Sequence, residues 1–194
     1  MKCFLPLLIL PLLLCVACEA KPSDDNFPIF EFRSNQEMLG DSAMFEQFSI
    51  RLPKAFNKLD LYELDRLKKN IKNDQNSYFQ IELINGFSDQ DNSAILVSRI
   101  NESNVLLKLD EGYLDYLLTV PQTNNIKKST FTLNGIKTVQ YQINYEKLTN
   151  IKLFIFINGK TNCLDFFINN HMFEKKLEEI ESSLSTLRVN GGTK

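Results

Sequence analysis

The chain has 194 residues and a single histidine, His171. This limits the catalytic and metal-binding sites that the sequence could form. A zinc site built on two imidazoles is therefore excluded, and no His-Cys spacing suits the metal. A histidine-activated serine would have to use His171, yet no Gly-x-Ser-x-Gly motif presents a serine. We expect His171, at the start of the last predicted helix, to be a partly exposed surface residue.

Paired carboxylates are the chemistry that remains, because a glycosidase needs two acids that face each other across a cleft. Five acids supply the candidates: Glu82, Asp110, Glu111, Asp115 and Asp165. Their spacing brings no two of them together, so a hydrolase is the alternative and a non-enzyme is the prediction. Asp165 lies inside a predicted strand, where a covered carboxylate needs a partner, and Arg99 is the candidate for that partner.

The first seventeen residues have the pattern of an export signal. Met1-Lys2 gives a positive end, and Cys3 to Val16 is an apolar run that contains Pro6 and Pro11. A membrane-spanning helix needs about 20 apolar residues and tolerates interrupted backbone hydrogen bonding poorly. We therefore predict a signal peptide over residues 1–17 in preference to a transmembrane anchor.

The end of this run, Leu14-Cys15-Val16-Ala17-Cys18-Glu19, resembles the lipobox of bacterial lipoproteins. The resemblance implies that Cys18 is acylated and that the exported protein is anchored to a bacterial membrane, facing the periplasm or the cell surface. Cys15 departs from the family pattern, which usually has leucine there. Ordinary cleavage after Ala17 or Ala20 is the alternative, and it would give a secreted soluble protein.

Cys163 is the other cysteine that would remain in the mature chain. If Cys18 is acylated, Cys163 is a free thiol, and otherwise the two could form a disulfide in an oxidising compartment. Cys163 has no histidine or basic residue beside it in the sequence, so we expect a packed, structural cysteine. Residues 18–27 are mostly polar and are predicted to be a flexible tether.

The rest of the chain is predicted to be one domain over residues 28–189, with a disordered tail over residues 190–194. Phe48 to Pro53 alternates as a strand, and Asp60 with Glu63 can cap a helix whose leucines form its core stripe. Tyr78 to Ile84 and Ala94 to Ile100 are predicted to form a hairpin through Asn85-Gly86 and a polar loop. Val105 to Val120 is predicted to be a helix.

Thr130 to Ile168 is predicted to form four antiparallel strands, with tight turns at Asn134-Gly135 and Asn158-Gly159. In the second of these strands Tyr141 and Tyr145 share a face with apolar residues, so we expect them to pack in the core. A closing helix from Phe173 to Leu187 carries a narrow apolar stripe. The acids and lysine expected to face water on that helix are Glu174, Lys175, Glu178, Glu179 and Glu181.

The strand Leu153 to Ile157 is apolar throughout, which indicates that both sheet faces are covered. The predicted fold class is therefore α+β, an α/β/α sandwich with a mainly antiparallel sheet of about six strands and helices on both faces.

The Phe48-Ser49-Ile50-Arg51-Leu52-Pro53 strand, the hairpin, the meander with Phe131-Thr132-Leu133-Asn134-Gly135 and the closing helix together resemble the PsbP-like superfamily, which includes the DcrB-like lipoproteins. The resemblance implies a non-enzymatic accessory or protein-interaction module that docks on a larger assembly. No functional residue of that family can be matched here.

The function expected is therefore that of a membrane-anchored cell-envelope lipoprotein with an envelope protein as partner. With 22 basic and 24 acidic residues and no long run of one sign, nucleic acid is not an expected partner. No cofactor or metal is expected. A carrier for a small apolar ligand is a further alternative, and it would require a cavity of about 300 Å³ or more.

Overall fold

The computed structural model describes residues 27–73 and 77–191. Its helices are α1 (Leu61–Asn73), α2 (Val105–Glu111), α3 (Tyr113–Thr119) and α4 (Phe173–Leu184). Its strands are β1 (Ile29–Phe30), β2 (Leu39–Met44), β3 (Phe48–Pro53), β4 (Asn57–Lys58), β5 (Ile81–Ser88), β6 (Ala94–Ile100), β7 (Asn125–Leu133), β8 (Ile136–Asn144), β9 (Leu148–Ile157), β10 (Lys160–Asn169) and β11 (Arg188–Val189).

The main sheet has eight strands in the order β1-β7-β8-β9-β10-β6-β5-β4. All neighbours are antiparallel except β1 and β7, which are parallel. The predicted sheet of about six strands is therefore too small. The two added strands, β1 and β4, are only two residues long, and so short a segment carries no alternation by which a sequence pattern could reveal it.

A second sheet, in the order β11-β3-β2, was not predicted. The Phe48–Pro53 strand is confirmed, but it belongs to this small sheet and not to the main one. Its inward side chains Phe48, Ile50 and Leu52 are buried against the main sheet together with Ile180 and Leu184 of α4. One face of the main sheet is therefore covered by a helix and a small sheet.

The opposite face of the main sheet is covered by α2 and α3. Val105, Leu109, Tyr113 and Leu117 from these helices pack with Phe154 of β9. Leu153 and Ile155, the neighbours of Phe154 in β9, pack on the opposite face, in the core that α4 and the small sheet cover. Successive residues of β9 are therefore buried on alternate faces of the main sheet. The prediction that both faces of the main sheet are covered is confirmed. Because both faces are covered, β9 is apolar at successive positions.

Several local predictions are confirmed. The Asp60 carboxylate accepts a hydrogen bond from the Glu63 backbone N–H at 2.8 Å, as a helix cap does. The four strands β7 to β10 form the predicted meander. Both of its Asn-Gly turns have positive φ at both residues, +51° and +79° at Asn134-Gly135 and +50° and +74° at Asn158-Gly159, as a type I′ turn requires.

Three boundaries differ from the predictions. Asn85 and Gly86 lie inside β5, where they pair with Val97 and Leu96 beside a register shift, so the turn comes later in the chain. The helix predicted over Val105 to Val120 is two helices, which meet at Gly112. The closing helix ends at Leu184, although Leu187 remains buried in the same core.

The predicted signal peptide at residues 1–17, Cys18 and the tether up to residue 26 lie outside the described residues. Of the predicted tail at residues 190–194, only residues 190 and 191 are described. Within the described ranges, no helix is both long enough and apolar enough to cross a membrane.

Candidate functional site

The carboxylate of Asp165, on β10, is buried, as its place in the strand predicted, but its partner is not Arg99. Lys152 lies opposite Asp165 in the strand pairing, and its Nζ approaches Asp165 Oδ1 at 2.5 Å. The Asn150 amide donates a hydrogen bond to the same oxygen at 3.3 Å. Arg99 pairs instead with Glu46, because the register places it opposite Asn162, three residues from Asp165.

Cys163 completes this buried cluster. Its thiol donates to Asp165 Oδ2 at 3.4 Å, and Lys152 Nζ lies 3.9 Å from Cys163 Sγ. A basic group is therefore present, although the sequence showed none beside Cys163. Burial and the charge of Asp165 raise the pKa of the Cys163 thiol well above its ordinary value, and Lys152 does not offset them. The cysteine is thus a protonated, structural thiol.

The remaining acids that the sequence offered for catalysis lie on β5, α2 and α3. Glu82, on β5, accepts a hydrogen bond from the Asn101 amide at 3.1 Å. Asp110, on α2, pairs with Lys128 at 2.6 Å. Glu111 and Asp115 are exposed on α2 and α3. The clefts described below are lined by other residues.

His171 and Tyr141 occupy the environments expected of them. His171 lies exposed in a short 3-10 turn, Asn170–Met172, before α4. Tyr141 is fully buried, and its hydroxyl donates to the Leu109 carbonyl at 2.8 Å, while Tyr145 is half-buried against the same core. In the part of the chain that the structure describes, no three His, Cys, Asp or Glu side chains lie close enough together to hold a metal ion.

A groove of about 350 Å³ opens on the face of the main sheet that α4 covers. It lies between α4, the strands β7 and β8, and the segment that contains β1. We call it the α4 groove. Its lining residues are Pro28, Phe30, Phe32, Ser129, Thr130, Phe131, Gln140, Gln142, Ile151, Leu177, Ile180, Glu181 and Leu184. Most of the large side chains are apolar, so the groove can receive an apolar group.

Three phenylalanines form one wall of the α4 groove. The ring centroid of Phe30 lies 4.8 Å from that of Phe32 and 5.7 Å from that of Phe131. Phe131 is buried, whereas Phe30 is 48% exposed. An aromatic ring that is half exposed at the mouth of an apolar groove can bury further area when another group covers it.

Glu181 gives the α4 groove a charge. Burial, and then the negative charge of Glu178, raise the pKa of the Glu181 carboxyl above its ordinary value. Among the described residues, no cation and no hydrogen-bond donor pairs with its carboxylate. A ligand that places a cation or a donor beside Glu181 would therefore gain a partner that the protein itself does not supply.

Two acids of α4 do not face water as predicted. Glu181 is half-buried in the groove, and Glu179 is only 8% exposed and accepts a hydrogen bond from the buried Lys176. The reason is that α4 packs between the main sheet and the small sheet, so more of its surface than one apolar stripe contacts other parts of the protein. A pattern that assumes one buried face assigns these residues to solvent.

A wider cleft of about 530 Å³ lies near the sheet edges, between β2, β4 and β5. Charged side chains of both signs line it, namely Asp41, Lys54 and Lys58, and its surroundings are mostly polar. The α4 groove is therefore the better candidate for selective recognition, because it combines apolar walls with a single unpaired charge.

No protein-family model matches this sequence, and no curated protein does. The chain is similar to the solution structure of cyanobacterial PsbP (CyanoP) from Synechocystis sp. PCC 6803, with 15% sequence identity and a TM-score of 0.44. The similarity covers 82% of this chain and 91% of that one. A likeness of this degree does not establish a family, so the PsbP-like relationship stays a prediction.

Sequence reasoning missed the α4 groove because its parts are distant in the chain. Phe30 and Phe32 precede the first predicted strand, Phe131 lies in the meander, and Glu181 lies in the last helix. The one signal available was the pair of alternating phenylalanines near the N-terminus, which is unusual for a segment that is predicted to lead from a tether into a domain.

Proposed function

We propose that this protein is a cell-envelope lipoprotein, anchored to a bacterial membrane through an acylated Cys18, which acts as a non-catalytic accessory module. Its domain binds a partner protein, and the α4 groove is the binding surface. The observation that carries the binding part of the proposal is the combination of aromatic walls with the unpaired carboxylate of Glu181.

The groove defines the chemistry of the partner. Its apolar lining favours an aromatic or aliphatic side chain, whose full burial is worth about 1.5–3 kcal/mol. Glu181 favours a lysine or arginine next to that side chain, since a hydrogen bond to a charged group is worth about 1.5–3 kcal/mol. A segment with one apolar anchor and one cation therefore fits the groove.

The titratable groups support a binding role in preference to catalysis. Lys152 and Asp165 neutralise each other in the interior, and Cys163 is held as a thiol beside them. Burial opposes the charge of Lys152, but the charge of Asp165 and its hydrogen bond outweigh it and raise the pKa of that amine, which stays charged at neutral pH. A charged and paired amine is not a free base or nucleophile.

The binding surface can be tested by replacing Phe30 with the photo-reactive residue benzoylphenylalanine in the full-length, membrane-anchored protein. Irradiation is expected to give a discrete cross-linked protein. Leu118 is the matched control, because it is a 65% exposed apolar residue on α3, which covers the opposite sheet face. Equal cross-linking from both positions contradicts the proposal.

The same experiment separates a protein partner from a small amphipathic ligand. The volume of the groove, about 350 Å³, lies within the range of small-molecule sites. If Phe30 cross-links to lipid-sized material and to no protein, the domain is a carrier and the accessory proposal is wrong.

The anchor is tested by metabolic labelling with radioactive palmitate. Cys18→Ala is expected to remove the label, because the acyl chains would have no attachment site. Cys15→Ala, which changes a cysteine three residues earlier, is expected to keep it. A Cys18→Ala protein that remains labelled shows that the lipid is attached elsewhere or that the lipobox assignment is wrong.

A further inference from the structure

The strand β2 forms the outer edge of the small sheet, and part of its backbone points away from that sheet. The Phe45 backbone N–H donates to the Phe48 carbonyl at 2.8 Å, so the backbone of Phe45 points toward β3. Because this direction reverses at each residue of a strand, the backbone groups of Met44 and Ser42 point away from β3. No strand within the described ranges pairs with β2 on that side.

The hydrogen bonds of Arg51 on β3 indicate the same direction independently. Arg51 lies opposite Ser42 in the strand pairing. Its backbone N–H donates to the Thr186 hydroxyl at 2.9 Å, and its carbonyl accepts a hydrogen bond from the Ser183 hydroxyl. Because the backbone of Arg51 is bonded to these two side chains and not to β2, the N–H and C=O of Ser42 are left free for another strand.

The free backbone of β2 borders the cleft of about 530 Å³ between β2, β4 and β5. Natural proteins protect an exposed strand edge with lysine, proline or a bulge, and β2 has a register shift between Leu39 and Ser42. The run Ser42-Ala43-Met44 that follows contains no lysine and no proline, and its pairing with β3 is regular. This run is therefore open to pairing with a further strand.

Two lysines of the same cleft define the charge of such a strand. Lys54 and Lys58 line the cleft, and both side chains are exposed. Among the residues that the structure describes, no acid pairs with either amine. Asp41 is the one acid in the lining, so positive charge is in excess. A strand that carries carboxylates would therefore meet a cleft of complementary charge.

We propose that β2 binds an extended, acidic segment of a partner protein, which adds to the small sheet as a further strand. The backbone of this segment pairs with Ser42 and Met44, and its carboxylates lie beside Lys54 and Lys58. Main-chain hydrogen bonds supply affinity in this mode of binding, and side chains supply specificity. The cleft shares no lining residue with the α4 groove, so this surface is separate from the one in the proposed function.

Amide hydrogen exchange in the purified full chain, followed by NMR spectroscopy, tests whether the edge is free. The amides of Ser42 and Met44 are expected to exchange about tenfold faster, or more, than those of Ala43 and Phe45, which point toward β3. Equal protection of these amides overturns the proposal, because the edge is then covered by another part of the chain or by a second copy.

Binding is tested with a short fluorescein-labelled peptide in which threonine and glutamate alternate. The matched control peptide has glutamine in place of glutamate, and neither peptide carries the apolar anchor or the cation that would suit the α4 groove. Fluorescence anisotropy is expected to show about fivefold tighter binding of the glutamate peptide, because two exposed ion pairs are gained. Equal binding of the two peptides, or no binding of either, overturns the proposal.

A proline substitution tests the pairing of the backbone. Met44→Pro removes an outward N–H that the fold does not use, and it is expected to weaken binding of the glutamate peptide about tenfold. Met44→Ala keeps this N–H and is expected to keep most of the binding. Equal binding by the two variants overturns the proposal.

A charge reversal keeps the proposal testable if the proline variant does not fold. Lys54→Glu combined with Lys58→Glu is expected to reverse the preference, so that the glutamine peptide binds more tightly than the glutamate peptide. An unchanged preference overturns the proposal. Phe30→Ala alters the α4 groove and is expected to leave binding nearly unchanged, so failure here is distinct from failure of the proposed function. Loss of binding in Phe30→Ala would place the peptide in the α4 groove and would also overturn the proposal.

Discussion

Replacement of Lys176 by methionine is expected to lower the free energy of unfolding by about 3–5 kcal/mol, because it leaves a buried carboxylate without its counter-ion. The Lys176 side chain is 1% exposed, and its Nζ lies 2.7 Å from Asp89 Oδ2 and 3.1 Å from Glu179 Oε2. Asp89 is equally buried, and no other described group donates to its Oδ2. Denaturant unfolding of the purified domain measures the loss.

The control for this substitution is Lys175→Met, which changes an exposed neighbour on the same helix and is expected to have an effect below about 0.5 kcal/mol. The double variant Lys176→Met, Asp89→Asn is expected to recover part of the loss. The substituted amide would keep an oxygen for the backbone N–H groups of Asp91 and Ser93, which now donate to Asp89 Oδ1 at 2.9 Å. Similar losses for Lys175 and Lys176 contradict a buried ion pair.

Replacement of Lys152 by methionine is the second large effect expected, again a loss of about 3–5 kcal/mol in the free energy of unfolding, because the buried Asp165 carboxylate would be left without its counter-ion. The Lys152 and Asp165 side chains are 14% and 7% exposed. Lys127→Met, on an exposed site of β7, is the matched control. The loss of stability can be measured through Cys163, since a thiol reagent reaches this buried cysteine only when the strands separate. Labelling of Cys163 is therefore expected to be faster in Lys152→Met than in the unaltered protein.

The pH dependence of both lysines has a definite sign. Burial opposes the charged form, but the neighbouring carboxylates outweigh it, so the pKa of each lysine is raised in the folded protein. Their contribution to stability is therefore fully present below the unfolded lysine pKa of about 10.4 and is lost as the pH rises above it. In Lys152→Met, the fall in stability above this pH is expected to be smaller than in the unaltered protein.

The local structure of this protein is well encoded in its sequence. The Asn-Gly turns, the alternation in β8 and the spacing of leucines in α4 each express a short-range rule, and the structure confirms them. The cap at Asp60 is of the same kind. Each of these features is decided by residues within one turn or one strand pair.

The features that the sequence did not reveal depend on contacts between distant segments. Lys152 meets Asp165 only because β9 and β10 pair in one register, and a one-residue shift would separate them. Lys176 is buried because a loop after β5 brings Asp89 onto α4. The small sheet and the α4 groove likewise arise from packing, which no periodicity within a segment encodes.

The most direct test of the proposed binding surface is the charge dependence of cross-linking from Phe30 in the membrane-anchored protein. Glu181→Lys is expected to reduce the yield by about tenfold or more, since loss of a hydrogen bond to a charged group costs about 1.5–3 kcal/mol. Glu174→Lys makes the same charge change at an exposed residue of α4, about two turns from Glu181, and is expected to leave the yield nearly unchanged. Equal yields from the two variants would contradict recognition through the α4 groove.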